Sequence, residues 1–109
     1  MLGEFEFLLL STIVRLGENA YGAAIRHELA STTGRHCSIG ALYTTLDRLE
    51  AKGLISTWMG DATPQRGGKA KRMVRVTEDG LRAAANFHSA VLRASAGLSW
   101  TVLQLGAVA

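Results

Sequence analysis

The sequence has little cysteine, proline or aromatic character. Its 109 residues include one cysteine, one proline, two tryptophans, two tyrosines and three phenylalanines. A single cysteine excludes an internal disulfide, and with it the class of small domains that disulfides hold together. The stretch MLGEFEFLLLSTIVRLGE at residues 1–18 carries acids where a signal peptide needs basic residues. We therefore expect a cytoplasmic protein.

Long apolar runs and groups of chemically reactive side chains are also missing. The apolar run near the start and the uncharged stretch at 94–109 are both shorter than a membrane span. His27, His36 and His88 lack the spacing of metal ligands. No Ser–His–Asp set, pair of carboxylates or phosphate-binding glycine loop stands out, so we predict neither an enzyme nor a membrane, metal or cofactor site. Cys37 is expected to be a partly buried small hydrophobic residue, with a redox switch as the alternative.

Positive charge is concentrated in one short stretch. The formal net charge is +3 at pH 7, yet residues 1–34 hold more acids than bases. Residues 60–75 contain a single acid, Asp61, and the five basic residues Arg66, Lys69, Lys71, Arg72 and Arg75. Such a stretch attracts a polyanion such as nucleic acid, although a solvated hairpin without a partner is the alternative.

Periodic apolar residues predict three helices in the first half of the chain. The first covers residues 2–16 and is apolar on almost every side, so it must be covered on more than one face. The second covers residues 20–32 and ends at Gly34. The third lies between an N-cap at Ser38 and a stop at Gly53. Its predicted buried stripe consists of Ile39, Leu42, Leu46 and Leu49.

The outward face of the third helix is made of small residues. It is predicted to present Gly40, Ala41, Thr44, Thr45 and Arg48, with Tyr43 at its flank. Small side chains allow a partner to approach closely, and the major groove of DNA admits an α-helix. Hydroxyl groups bond phosphates or base edges, and an arginine bonds guanine with two hydrogen bonds. The alternative for Arg48 is a surface ion pair with Asp47 or Glu50.

Strands and a last helix follow. Residues 54–60 and 71–77 are rich in β-branched and large apolar residues, and DATPQRGGKA between them predicts a hairpin with a long basic tip. Thr77 is predicted to cap a helix that continues to Leu105 with a heptad-like seam. The predicted fold is mainly α (α+β): a winged helix-turn-helix DNA-binding domain at 1–77 and a C-terminal dimerisation helix at 78–109. The seam residues expected at the dimer interface are Leu81, His88, Val91, Leu98 and Val102.

Three blocks of sequence resemble a known family. AYGAAIRHEL, SIGALYTTLDRLEAKGLI and RGGKAKRMVRVTEDG are similar to the signature blocks of PadR-type transcriptional regulators. The resemblance implies a homodimeric bacterial repressor of the short-tailed branch. It places Ser38, Gly40, Tyr43, Thr44 and Arg48 on the recognition helix and Arg66, Lys69, Lys71 and Arg72 in the wing, all toward double-stranded DNA. The chain departs from the family pattern at Met73 and Val74, where two tyrosines are usual, and in its uncharged end after Arg93.

The last helix also carries two aromatic residues with two interpretations. Phe87 and Trp100 either pack in the interface or form a wall for a flat aromatic effector between two subunits. A regulator without any small-molecule effector is a further alternative. The alternative to DNA recognition as a whole is a winged-helix module that binds another protein. The basic hairpin favours DNA over a protein partner.

Overall fold

The computed structural model describes residues 2–60 and 70–100, and it confirms the predicted order of elements. Among these residues, three helices are followed by a two-stranded hairpin and a fourth helix, and a 3₁₀ turn lies at Gly17–Asn19. The named elements are α1 at Glu4–Leu16, α2 at Gly22–Thr33, α3 at Ile39–Ala51, β1 at Ile55–Met59, β2 at Arg72–Val76 and α4 at Glu78–Ala94.

The core lies where the first three helices meet one face of the hairpin. Its fully buried large side chains come from every one of these elements except β1: Leu9, Leu10, Ile13, Ile25, Leu29, Leu42, Leu46, Leu49 and Val74. Three of the four residues in the predicted stripe of α3 are among them. Ile39 is the exception: as the first residue of α3 it lies beyond the core, and 46% of it is exposed.

The hairpin is antiparallel and is attached to the start of α2. Its register pairs Ile55 with Val76 and Met59 with Arg72. The amide of Val74 donates to the carbonyl of Ala20 at 2.9 Å, and a single bridge pairs Tyr21 with Met73. Because Ala20 and its neighbour are extended, α2 begins two residues later than the sequence predicts. The basic tip at 61–69 lies outside the described residues.

Local signals for helix ends are confirmed. The Ser38 hydroxyl accepts from the Ala41 amide at 3.0 Å, and the Thr77 hydroxyl accepts from the Gly80 amide at 3.1 Å. Each hydroxyl satisfies one amide that has no partner within its own helix. Gly34 ends α2 with a φ of 73°, a left-handed conformation that glycine adopts without strain.

The prediction of one continuous last helix to Leu105 is wrong at Ala94. A turn follows α4, and Gly97 within it has a φ of 79°. Leu98 and Trp100 therefore lie beyond the helix, and Trp100 is 72% exposed. Val102 and Leu105 lie outside the described residues. The predicted seam is helical only up to Val91.

The fourth helix packs on the first through aromatic residues and leaves other apolar residues uncovered. Phe87 stacks on Phe7 with the ring centres 4.7 Å apart, and His88 lies against the same ring at 6.4 Å. Leu81, Val91 and Leu92 are about half exposed, at 49%, 48% and 56%. Across residues 2–60 and 70–100, the helices fall short of the length and apolarity needed to cross a membrane.

Candidate nucleic-acid interface

The outward face of α3 consists mainly of small side chains. Ser38, Gly40, Ala41, Thr44 and Arg48 are all exposed, as the sequence predicts. A methyl group added to Gly40 would meet no atom nearer than the Ser38 hydroxyl oxygen, 4.0 Å away. The first two turns of α3 therefore offer backbone and short side chains to whatever approaches.

Thr45 does not belong to this face, and its prediction as an outward residue is wrong. Only 7% of Thr45 is exposed, and its hydroxyl donates to the Ala41 carbonyl at 2.9 Å. The hydroxyl is satisfied within its own helix, so the side chain is buried without the cost of an unpaired polar group.

Tyr43 lies at the flank of α3, between α2 and the hairpin. Its hydroxyl is so close to Gly22 that a Cβ on that glycine would lie 2.6 Å from the oxygen. On the other side, the Arg72 guanidinium carbon is 5.8 Å from the centre of the Tyr43 ring. Gly22 thus makes room for Tyr43, and the ring is half-buried with its hydroxyl end beside the start of α2.

Arg48 does not form the surface ion pair that was the alternative for it. Asp47 and Glu50 accept instead from the Nη2 atom of Arg72, at 3.0 and 3.4 Å. Over the part of the chain that the structure describes, the Arg48 guanidinium has no ion pair within 4 Å. An exposed guanidinium that forms no ion pair with a neighbouring carboxylate can bind an external acceptor.

Arg72 holds the base of the hairpin against α3. Its guanidinium donates to Asp47 and to one carboxylate oxygen of Glu50. The other carboxylate oxygen of Glu50 accepts from the Thr57 hydroxyl at 2.6 Å. Side chains from β1, β2 and α3 therefore meet in one polar cluster. Sequence analysis missed it because Arg72 and Asp47 are 25 positions apart, beyond any helical or strand repeat.

Two further cations of the wing lie over aromatic rings. The Lys71 Nζ is 4.2 Å from the centre of the Tyr21 ring, and the Arg75 guanidinium carbon is 5.4 Å from the Trp58 ring. Lys71 borders a groove of about 420 Å³ between the hairpin and the starts of α2 and α3. Arg66 and Lys69 of the predicted site lie outside the described residues.

A nearly buried carboxylate joins α1 to the end of α3. Glu6 is 8% exposed and accepts from the Lys52 ammonium at 2.8 Å and from the Gly3 amide at 2.9 Å. Burial alone would raise the pKa of Glu6, but these two hydrogen bonds and the charges of Lys52 and Arg48 lower it below its ordinary value. Glu6 is therefore charged and links the start of α1 to Lys52. Its bond with Gly3 is a local cap of α1, whereas Lys52 is 46 positions away and no local pattern in the sequence indicates that contact.

Within one chain, Phe87 and Trp100 do not line the same groove, and the effector wall between two subunits stays a prediction. Phe87 lines a groove of about 520 Å³ along α4, and the described residues around it do not include Trp100. The groove is mostly apolar, with lining residues Leu2, Ala83, Asn86, Phe87, Ala90, Val91 and Ala94.

The chain matches one protein family over most of its length. The model of the transcriptional regulator PadR-like family matches residues 9–86, from α1 into α4. No curated protein matches the chain in sequence.

Several solved structures share the fold. A PadR family transcriptional regulator from Eggerthella lenta is 29% identical, with a TM-score of 0.61 over 75% of this chain and 69% of that one. A transcriptional regulator from Clostridium thermocellum is 21% identical, with a TM-score of 0.68 over 82% and 83%. A PadR-like transcriptional regulator from Bacillus cereus is 22% identical, with a TM-score of 0.66 over 79% of each chain. The last two similarities show the fold alone.

Proposed function

Because the chain belongs to the PadR-like family of transcriptional regulators, we propose that it is a homodimeric repressor of bacterial transcription that recognises a specific DNA sequence in the cytoplasm. The family consists of regulators and not of enzymes. The observation that carries the proposal is the outward face of α3, where small residues surround an arginine that has no ion pair among the described residues. This combination suits a helix that must lie deep in a groove and contact bases.

In this proposal α3 enters the major groove of double-stranded DNA. Gly40 lets the helix backbone approach, while Ser38, Tyr43 and Thr44 supply hydroxyls for phosphates or base edges. Arg48 donates to a guanine, the base that arginine contacts most often in the major groove. Sequence preference then depends mainly on Arg48.

The wing supplies affinity without sequence information. Lys71 is at its base, and Arg66 and Lys69 are in the segment that continues toward the tip. Each ammonium or guanidinium that meets a phosphate releases counterions, so binding weakens as salt rises. These three residues are proposed to contact the phosphate backbone of DNA.

Dimerisation is proposed to bury the uncovered face of α4. Leu81, Val91 and Leu92 are about half exposed on α4. Val14 of α1 is 55% exposed and lines the same grooves as Leu81. Exposed apolar residues on neighbouring helices indicate a binding surface. In a two-fold dimer one such surface serves both subunits. His88 lies at its edge, and Leu98 and Val102 are proposed to extend it.

The groove beside Phe87 is proposed as the place where a flat aromatic molecule binds and relieves repression. The groove is lined by Val91, which is also a proposed interface residue. A ligand that bound one dimer arrangement more tightly would therefore change the distance between the two recognition helices. Trp100 is proposed to reach this site from the partner subunit. Planar aromatic compounds should then quench tryptophan fluorescence and weaken DNA binding together.

The experiment that tests the function compares Arg48→Ala with Lys71→Ala on a preferred duplex and on random DNA. Arg48→Ala should cost about 1–3 kcal/mol on the preferred duplex and relax the sequence preference. Lys71→Ala should weaken binding to both duplexes alike and reduce the slope of log affinity against log salt by about one. Equal losses for the two variants on both duplexes would refute the proposed roles.

A further inference from the structure

Two acidic side chains lie on the helix that is proposed to face DNA. Asp47 is exposed three residues after Thr44 and directly before Arg48, and Glu50 follows one turn later. A carboxylate at this position repels the phosphates on either side of a groove. A recognition helix with two such charges therefore needs something that compensates them.

Arg72 is placed to compensate both charges at once. Its Nη2 atom is 3.0 Å from an oxygen of Asp47 and 3.4 Å from an oxygen of Glu50. Only 24% of the Arg72 side chain is exposed, and its guanidinium also lies against the Tyr43 ring. A guanidinium held on three sides is not extended toward solvent, where a phosphate would bind.

We infer that Arg72 is a positioning residue for DNA binding, which acts by neutralising Asp47 and Glu50 and by fixing the wing against the recognition helix. It is not itself a phosphate contact. This inference rests on the proposed function and assigns Arg72 a different role in it from the one that the family resemblance implies.

The alternation of side chains along β2 supports the assignment and supplies a control. Arg72 and Val74 point to the same side of the strand, toward α3 and the core, whereas Arg75 points to the opposite side and lies over Trp58. Arg72→Gln and Arg75→Gln each remove one positive charge from the same strand. Only Arg72→Gln removes the ion pairs of the α3 carboxylates, although Glu50 keeps its hydrogen bond from the Thr57 hydroxyl.

The test is a double-mutant cycle between Arg72→Gln and the pair Asp47→Asn with Glu50→Gln. The probe is a labelled duplex of about 30 base pairs, enriched by the wild-type protein from sheared genomic DNA and long enough for two half-sites one helical turn apart. Dissociation constants are measured by fluorescence anisotropy for the wild type, the two parent variants and the combined variant. Arg75→Gln goes through the same cycle, and thermal unfolding shows that each variant is folded.

The cycle should show strong coupling for Arg72 alone. Arg72→Gln should weaken binding about tenfold, within the range of coupling between side chains in direct contact. The amide pair should restore most of this loss in the Arg72→Gln background and change the wild-type affinity much less. Arg75→Gln should show no such rescue. Asp47 and Glu50 are 67% and 42% exposed. Ion pairs with such solvated carboxylates contribute little to folding, so the thermal midpoints should stay close together.

Two results would overturn the inference, and they differ in what else they affect. If the amide pair increases affinity by the same factor in the wild-type and Arg72→Gln backgrounds, Arg72 contacts DNA directly, and the proposed function stands. If the wild-type protein itself enriches and prefers no duplex, the proposed function fails and takes the inference with it.

Discussion

Gly40 gives the sharpest separation between folding and DNA binding. A side chain added there enters open space, since the nearest atom to a new Cβ is 4.0 Å away. Glycine inside a helix costs about 0.5–1 kcal/mol relative to alanine. Gly40→Ala should therefore stabilise the fold, by about 0.5 kcal/mol because Gly40 lies in the first turn, where the cost is smaller. For a chain of this size, that gain raises the thermal midpoint by about 2–4 °C.

Larger side chains at Gly40 should weaken DNA binding, although they do not destabilise the fold. Gly40→Leu places a branched side chain on the surface of α3 that is proposed to enter the major groove. The helix would then be held away from the bases, and the base contact of Arg48 would be lost. A good contact of this kind contributes about 1–3 kcal/mol of discrimination. A loss of about tenfold to a hundredfold in affinity is expected for Gly40→Leu, with Gly40→Ala between it and the wild type.

The assay pairs thermal unfolding, followed by circular dichroism, with anisotropy titrations on the preferred duplex and on a scrambled one. Stability should hold or rise across the series glycine, alanine, leucine while the affinity for the preferred duplex falls. The affinity for the scrambled duplex should change less, because phosphate contacts of the wing remain. A stable Gly40→Leu protein that binds the preferred duplex as tightly as the wild type would refute the placement of α3 in the groove.

Two predictions concern the fold behind the interface. Gly80→Ala should destabilise the protein by about 3 kcal/mol or prevent folding, because the new Cβ would clash with the Leu54 carbonyl; a thermal midpoint equal to that of Gly40→Ala would contradict this. The lowered pKa of Glu6 contributes stability that is present above the ordinary carboxyl pKa of about 4.3 and is lost as pH falls through the folded value. Lys52→Met should therefore lower the thermal midpoint more at pH 7 than at pH 3, and an equal loss at both would contradict this.

The elements of the fold follow from local signals in the sequence. Ser38 and Thr77 cap the helices they were predicted to cap, and Leu42, Leu46 and Leu49 are buried at the spacing of one helical face. These features depend on residues within three or four positions of one another. Such short-range relations are visible in a single sequence.

The sequence does not indicate contacts between distant parts of the chain or the residue at which the last helix ends. Whether Thr45 is buried or exposed depends on which elements cover α3. Its hydroxyl donates to a carbonyl of its own helix, so it can be buried. The ion pair that was the alternative for Arg48 does not form, because Asp47 and Glu50 pair with Arg72, a contact that the sequence does not indicate. The seam of α4 continues in the sequence past Ala94, but the chain turns there. A repeat of apolar residues indicates which residues could share one helical face, but it does not indicate the residue at which the helix ends.

The most direct test of the central claim is a comparison of two dissociation constants at physiological salt. The wild-type protein first selects fragments from sheared genomic DNA, and its affinity for the enriched duplex is then measured beside that for a scrambled duplex of the same length and composition. A sequence-specific regulator should bind the enriched duplex at least about 10³ times more tightly. Equal affinities for the two duplexes, or no binding to either, would contradict the account and favour a winged-helix module that binds another protein.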